Sequence, residues 1–111
     1  MTRARHEIPP GTLDMLILST LARSDALHGF EFAEAIQLAS SDVLHLEEGS
    51  LYPALQRMLI KGWMNGTWGR TAENRRARYY RLTPAGQRQF NREVADYTTV
   101  SAAIVRILRP A

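Results

Sequence analysis

Apolar positions along the chain change rhythm twice, and each change marks a boundary between elements. Residues 11–24, GTLDMLILSTLARS, carry apolar side chains at 13, 16, 17 and 21, with Met15 and Leu18 widening the stripe. Thr12 stands at the N-cap position, so the spacing predicts a largely buried helix of about three turns. Gly29 opens a second, shorter helix over FEFAEAIQLAS, with Phe30, Ala33 and Ile36 expected on one face and Glu31 and Glu34 directed away. Val43 to Leu46 is open between a brief strand and a loop, with serines and Gly49 at its edges.

In LEEGSLYPALQRMLIKGW, Ser50 is the expected cap of a third helix. At 100° per residue, Leu51, Leu55, Met58, Leu59 and Gly62 share the inward arc. Tyr52, Pro53, Gln56, Arg57 and Lys61 share the opposite one, so a hydrogen-bonding and cationic face looks outward from a rigid support. Pro53 is expected near the helix start, where the missing N–H has no intrahelical partner to lose. Ile60 sits in the middle of the polar arc without an account of its own.

From Trp63 the period becomes two. WMNGTWG and RARYYRL predict two strands joined by RTAENR, a hairpin with a basic tip. Alternation puts Arg76, Arg78 and Tyr80 on one face and Ala77, Tyr79 and Arg81 on the other. Trp63 and Trp68 are expected to anchor the hairpin on the helices. Thr83 and Pro84 then signal a last helix as N-cap and first helical residue. Beyond them, Phe90, Val94, Tyr97, Ser101, Ile104 and Leu108 alternate spacings of four and three, the rhythm of a helix that packs on a partner helix. Thr98, Thr99 and Val100 are weak helix formers, so helicity there is expected to depend on packing.

At 111 residues the chain is the size of one domain, and 45% hydrophobic with 23% charged residues is the composition of a folded protein. Cysteine is absent, which removes disulfides and thiolate chemistry, and His6, His28 and His45 stand at no metal-ligand spacing. No apolar run approaches the roughly 20 residues of a membrane span, and the N-terminus shows no signal-type cleavage site, so the expected location is the cytoplasm. Charge changes the picture most. Residues 1–56 hold three basic groups against eight acidic ones, whereas residues 57–92 hold nine basic groups against Glu73 alone. So concentrated a positive field expects a polyanion.

Three helices, a two-stranded hairpin and a long last helix give the order of a winged helix-turn-helix: mainly α with a small β-hairpin wing. The expected division is 1–83 for DNA binding and 84–111 for a dimerisation helix, as one compact unit. In such modules the recognition helix enters the major groove of double-stranded DNA. Tyr52 offers a hydroxyl, Gln56 can read an adenine edge, and Arg57 and Lys61 can meet phosphate or guanine. Arg70, Arg75, Arg76 and Arg78 on the wing suit backbone or minor-groove contact.

The segments GTLDMLILSTL, HGFEFAEAI, EEGSLYPALQRMLIKGWM and RARYYRLTPAGQRQF together resemble the PadR family of bacterial transcriptional regulators, in its short form, over nearly the whole chain. The resemblance implies a homodimeric repressor on a palindromic operator. It places Ser50, Tyr52, Pro53, Gln56 and Arg57 on the recognition helix and needs no cofactor or metal. Phe30 stands where the family usually has tyrosine. Some members bind a small aromatic effector in a pore at the dimer interface, sometimes against a tryptophan of the last helix; this sequence has no tryptophan after Trp68.

Two other classes fit less well. Ser19, Ser50, His28 and His45 lack any phosphate loop, ligand spacing or nucleophile elbow, which argues against an enzyme. A winged helix used only for protein contacts would be expected to lose charge on the recognition helix and wing, whereas this chain gains it.

Overall fold

Leu13–Ala22 form α1 and bury Met15, Ile17, Leu18 and Leu21. Each side chain so enclosed contributes about 1.5–3 kcal/mol. Thr12 holds the N-cap position, but its hydroxyl donates backwards to the Pro9 carbonyl at 2.8 Å instead of capping the helix. The computed structural model describes residues 5–109; residues 1–4 and 110–111, which the expected segments 1–83 and 84–111 include, lie outside them. Before α1 comes β1 (His6–Glu7), and after it β2 (Leu27–His28), α2 (Gly29–Ala39), β3 (Leu44–His45) and α3 (Glu48–Ile60). The hairpin β4 (Met64–Arg70) and β5 (Arg76–Leu82) leads into α4 (Pro84–Leu108).

α2 departs from expectation in phase. Phe32 and Ile36, four residues apart, are the buried pair, and Phe30 is 79% exposed. Two residues are about 200° of helical rotation, so seating Phe32 in the core turns Phe30 out. The Phe32 ring meets Tyr80 edge to face, centroids 6.1 Å apart, and that contact fixes the phase from β5. The helix starts where the His28 N–H donates to the Glu31 carboxylate at 3.0 Å, and at 11 residues it is no shorter than α1 with its 10.

Two short pairings were not legible in the pattern. β3 pairs in parallel with β1, and β2 adds an antiparallel edge to the hairpin through Leu27 opposite Tyr80 and His28 opposite Tyr79. The wing is therefore a three-stranded sheet in the order β2-β5-β4. Ile17, Leu18, Leu21, Phe32, Ile36, Leu46, Ala54, Leu55, Met58, Met64 and Tyr80 form one core from α1, α2, α3, the sheet and the segment between β3 and α3.

α4 is docked at its start. Thr83 caps it, accepting from the Gly86 N–H at 3.0 Å, while the Thr83 hydroxyl donates to the Gly62 carbonyl at 2.6 Å and the Thr83 N–H to the Trp63 carbonyl at 3.1 Å. Gly86 is buried there, against the Trp63 backbone.

Candidate nucleic-acid interface

α3 begins earlier than its serine suggests. Glu47 is the N-cap, Glu48 opens the first turn, and Ser50 is the third helical residue, its N–H donating to the Glu47 carbonyl at 3.0 Å. Glutamate in the first turn suits the helix dipole, which offsets the loss of a serine cap. Pro53 consequently lies inside the helix, and the Gly49 carbonyl receives no N–H from it. Gly49 is exposed, so water can serve that carbonyl instead.

The inward arc is carried by Ala54, Leu55 and Met58, with Leu51 and Leu59 partly buried. Outward stand Ser50, Tyr52, Pro53 and Arg57, all exposed, with Gln56 half-buried beside them. Lys61 sits at the C-cap, its ammonium 4.8 Å from the Trp63 ring centroid. Ile60 is exposed, and nothing in the structure explains it. Arg57 reaches sideways: its Nη2 donates to Asp14 Oδ1 on α1 at 2.6 Å. The acidic first half thus neutralises one of the expected DNA-facing cations.

In the hairpin, the register sets Met64, Gly66, Trp68 and Arg70 opposite Leu82, Tyr80, Arg78 and Arg76, on one face of the sheet. Toward its base that face is apolar and buried through Met64 and Tyr80; toward its tip it becomes aromatic and cationic. Arg76 lies 4.4 Å over the Trp68 ring. Trp68 is 61% exposed, so it does not anchor the hairpin as expected; Trp63, partly buried against the core, does. At the tip Arg70 donates to the Asn74 carbonyl at 3.2 Å, while Arg75 is exposed in the turn.

Between α2, α3 and the wing lies a cavity of 480 Å³. It brings Tyr52 and Gln56 together with Trp68 and Arg78, joining the expected recognition helix to the expected wing, and it adds His28 and Phe30, which the sequence did not single out for this surface. Their signal was a pair of aromatic residues flanking the glycine that opens α2. Arg78 crosses the sheet over Gly66, where a Cβ would collide with Nε, and its guanidinium is 6.0 Å from the Tyr80 centroid. Burial pushes the Tyr80 hydroxyl above its ordinary pKa; Arg78 pulls the other way and Tyr52 adds to the rise.

Along α4, Val94, Tyr97, Ile104 and Leu108 are exposed in a continuous 25-residue helix that includes Thr98, Thr99 and Val100. Phe90 differs: it packs partly buried against the chain's own core. Among the described residues, no helix is long and apolar enough to cross a membrane.

The model of the PadR-like family of transcriptional regulators matches residues 17–92. An uncharacterised protein of Lysinibacillus sphaericus is 26% identical over 100 residues, covering 90% of this chain and 91% of its own. Among solved structures, a PadR family transcription regulator of Clostridium difficile is 26% identical with a TM-score of 0.74, covering 89% of this chain and 100% of that one. A transcriptional regulator from Clostridium thermocellum has the same fold, with a TM-score of 0.80 at 24% identity over 89% of this chain and 95% of that one.

Proposed function

We propose, from the premise that this chain belongs to the PadR-like family of transcriptional regulators, that it acts in the cytoplasm as a homodimeric repressor on a palindromic operator. The family is one of DNA-binding regulators, not of enzymes, and the fold is its winged helix with a C-terminal helix. Residues 1–83 supply the DNA-binding part and 84–111 the dimerisation helix. Each protomer would present α3 to a half-site, with the two half-sites about one helical turn apart.

The observation that carries this reading is the meeting of Tyr52 and Gln56 of α3 with Trp68 and Arg78 of the wing at one surface. Ser50, Pro53, Arg57 and Lys61 extend it along α3, and Arg70, Arg75 and Arg76 toward the tip. Tyr52 and Gln56 suit base edges; the wing arginines suit phosphate. Support for the dimer comes from the exposed stripe Val94, Tyr97, Ile104 and Leu108, apolar surface on a helix whose start is already docked. Phe90 bridges that stripe to the core. Release by a small aromatic effector completes the proposed cycle.

Selection of bound fragments from random duplex DNA, with binding then measured across salt concentration, tests the reading. A palindromic consensus and a steep fall of log affinity with log salt, reflecting on the order of 6–10 phosphates per dimer, are expected. Salt-independent binding or no enrichment would sink it.

A further inference from the structure

We infer that Trp68 is a positioning residue for DNA reading: it holds the Arg76 guanidinium ready to enter the minor groove beside each half-site, so that the regulator distinguishes A·T from G·C pairs that α3 does not touch. This inference rests on the regulator reading above and moves Arg76 from the phosphate-contacting arginines of the wing to a sequence-reading role.

An exposed tryptophan on a hairpin has to be explained by something other than burial. Trp68 is 61% exposed and stands outside the core that holds Met64 and Tyr80 of the same hairpin. Its place in the register shows what it does instead. Trp68 lies opposite Arg78, and Arg70 opposite Arg76, so Arg76 is the diagonal neighbour of Trp68 on one face of the sheet. The Arg76 guanidinium sits 4.4 Å from the ring centroid, well within cation–π reach. Stacking occupies the flat face of the guanidinium and leaves its N–H edge free to donate. Among the described residues, no hydrogen bond or ion pair takes that edge.

The other three arginines expected on the wing are placed differently. Arg70 donates to the Asn74 carbonyl at 3.2 Å, and Arg78 lies over Gly66 with its Nε buried. Arg75 is exposed in the turn and is tied to Thr71 through its backbone. Of the four, only Arg76 combines a fixed plane with free donors.

A fixed plane matters for reading a groove and hardly matters for meeting phosphate. Phosphates recur at every nucleotide, so a mobile cation finds one in any sequence. The minor groove is a narrow slot whose A·T floor offers only acceptors, and its narrowing in A-tracts concentrates the negative potential that draws arginine. At G·C pairs the guanine N2 amino group stands in that slot. A guanidinium held by its face enters edge-on, while the indole stays at the mouth against the apolar sugars. Ordering it before DNA arrives removes a cost otherwise worth about two- to tenfold in affinity per wing. The stack is also on the correct side of the wing, since Trp68 lines one surface with Tyr52 and Gln56 of α3.

The test uses the palindromic duplex recovered by selection, synthesised with A·T, G·C or inosine·cytosine pairs in the flanks beyond the bases that α3 reads. Inosine·cytosine keeps the major-groove acceptors and donor of G·C and lacks its minor-groove amino group. The parent chain is expected to bind A·T and inosine·cytosine flanks alike, and several-fold tighter than G·C flanks. Trp68→Leu should lose about two- to tenfold per wing on A·T flanks, and the discrimination with it. Its salt slope should not change, because no charge is removed. Trp68→Phe, which keeps a ring, should restore most of both losses, and Arg76→Lys should keep the slope and lose the discrimination. In the free chain, NMR relaxation should show the Arg76 Nε–H more ordered than that of Arg75, and released in Trp68→Leu. Inosine·cytosine behaving like G·C, equal or tighter binding by Trp68→Leu, or an Arg76 as mobile as Arg75 would overturn the inference. A palindrome bound without flank preference overturns this inference alone; no enrichment of any duplex overturns the regulator reading and this inference together.

Discussion

Gly86→Ala sets two effects of opposite sign against each other. In an isolated helix alanine is better than glycine by up to about 1 kcal/mol. In this protein the new Cβ at the third residue of α4 would overlap the Trp63 carbonyl oxygen, and would lie 2.9 Å from its carbon and 2.7 Å from Leu82 Cδ1, where real Cβ contacts stay beyond 3.0 Å. Two of those atoms are backbone and cannot rotate away, so the start of α4 must move. Moving it stretches the bond from the Thr83 N–H to the Trp63 carbonyl, now 3.1 Å, and the one from the Thr83 hydroxyl to the Gly62 carbonyl, now 2.6 Å. Overpacking costs about 1–3 kcal/mol, and each weakened bond up to about 1 kcal/mol more. Net destabilisation of about 1–3 kcal/mol remains after the propensity gain is subtracted. The thermal unfolding midpoint at one fixed protein concentration should fall by on the order of 5–15 °C, the concentration being held because the midpoint of the proposed dimer would depend on it. A variant as stable as the parent would refute the claim that α4 is fixed by its docking on the Trp63 backbone.

Three further outcomes can be checked. Val94→Glu combined with Ile104→Glu, both on the exposed stripe, should give a monomer by sedimentation and weaken operator binding; a surviving dimer would place the interface elsewhere. Arg57→Ala should cost about 1–3 kcal/mol at the operator, while Asp14→Ala, which frees Arg57, should not weaken binding, and each should change stability by under about 1 kcal/mol because the Arg57 end of the pair is half exposed to solvent; equal losses of binding in both would make Arg57 a strut between α1 and α3. Tyr80 is held above its ordinary 10.0 chiefly by burial, so the folded state favours the neutral phenol. Its contribution to stability is whole below that value and is lost as pH rises through the higher folded one, and denaturant midpoints that stay level from neutral pH through that range would contradict it.

How much was legible varies by element. The helical stripe at 13–21, the Thr83-Pro84 start of α4 and both hairpin strands follow from local chemistry: periodicity, a capping hydroxyl and alternation. The phase of α2 did not, because Phe30 and Phe32 are equally apolar and only contact with Tyr80 selects between them. Ser50 looked like a cap because serine favours that position; the helix starts earlier, with Glu47 at the N-cap position without a side-chain capping bond and Glu48 as the first helical residue.

By itself the sequence determined the order of the four helices and the hairpin, the separation of acidic and basic stretches, and the outward face of α3, since each depends on residue type at fixed spacing. Tertiary structure decided which of those groups can act together. Packing tied Arg57 to Asp14, drew Phe90 into the core, left Trp68 exposed under Arg76, and laid Arg78 across Gly66 beside Tyr52 and Gln56. Those outcomes depend on distances between residues far apart in the chain, which a one-dimensional pattern does not contain.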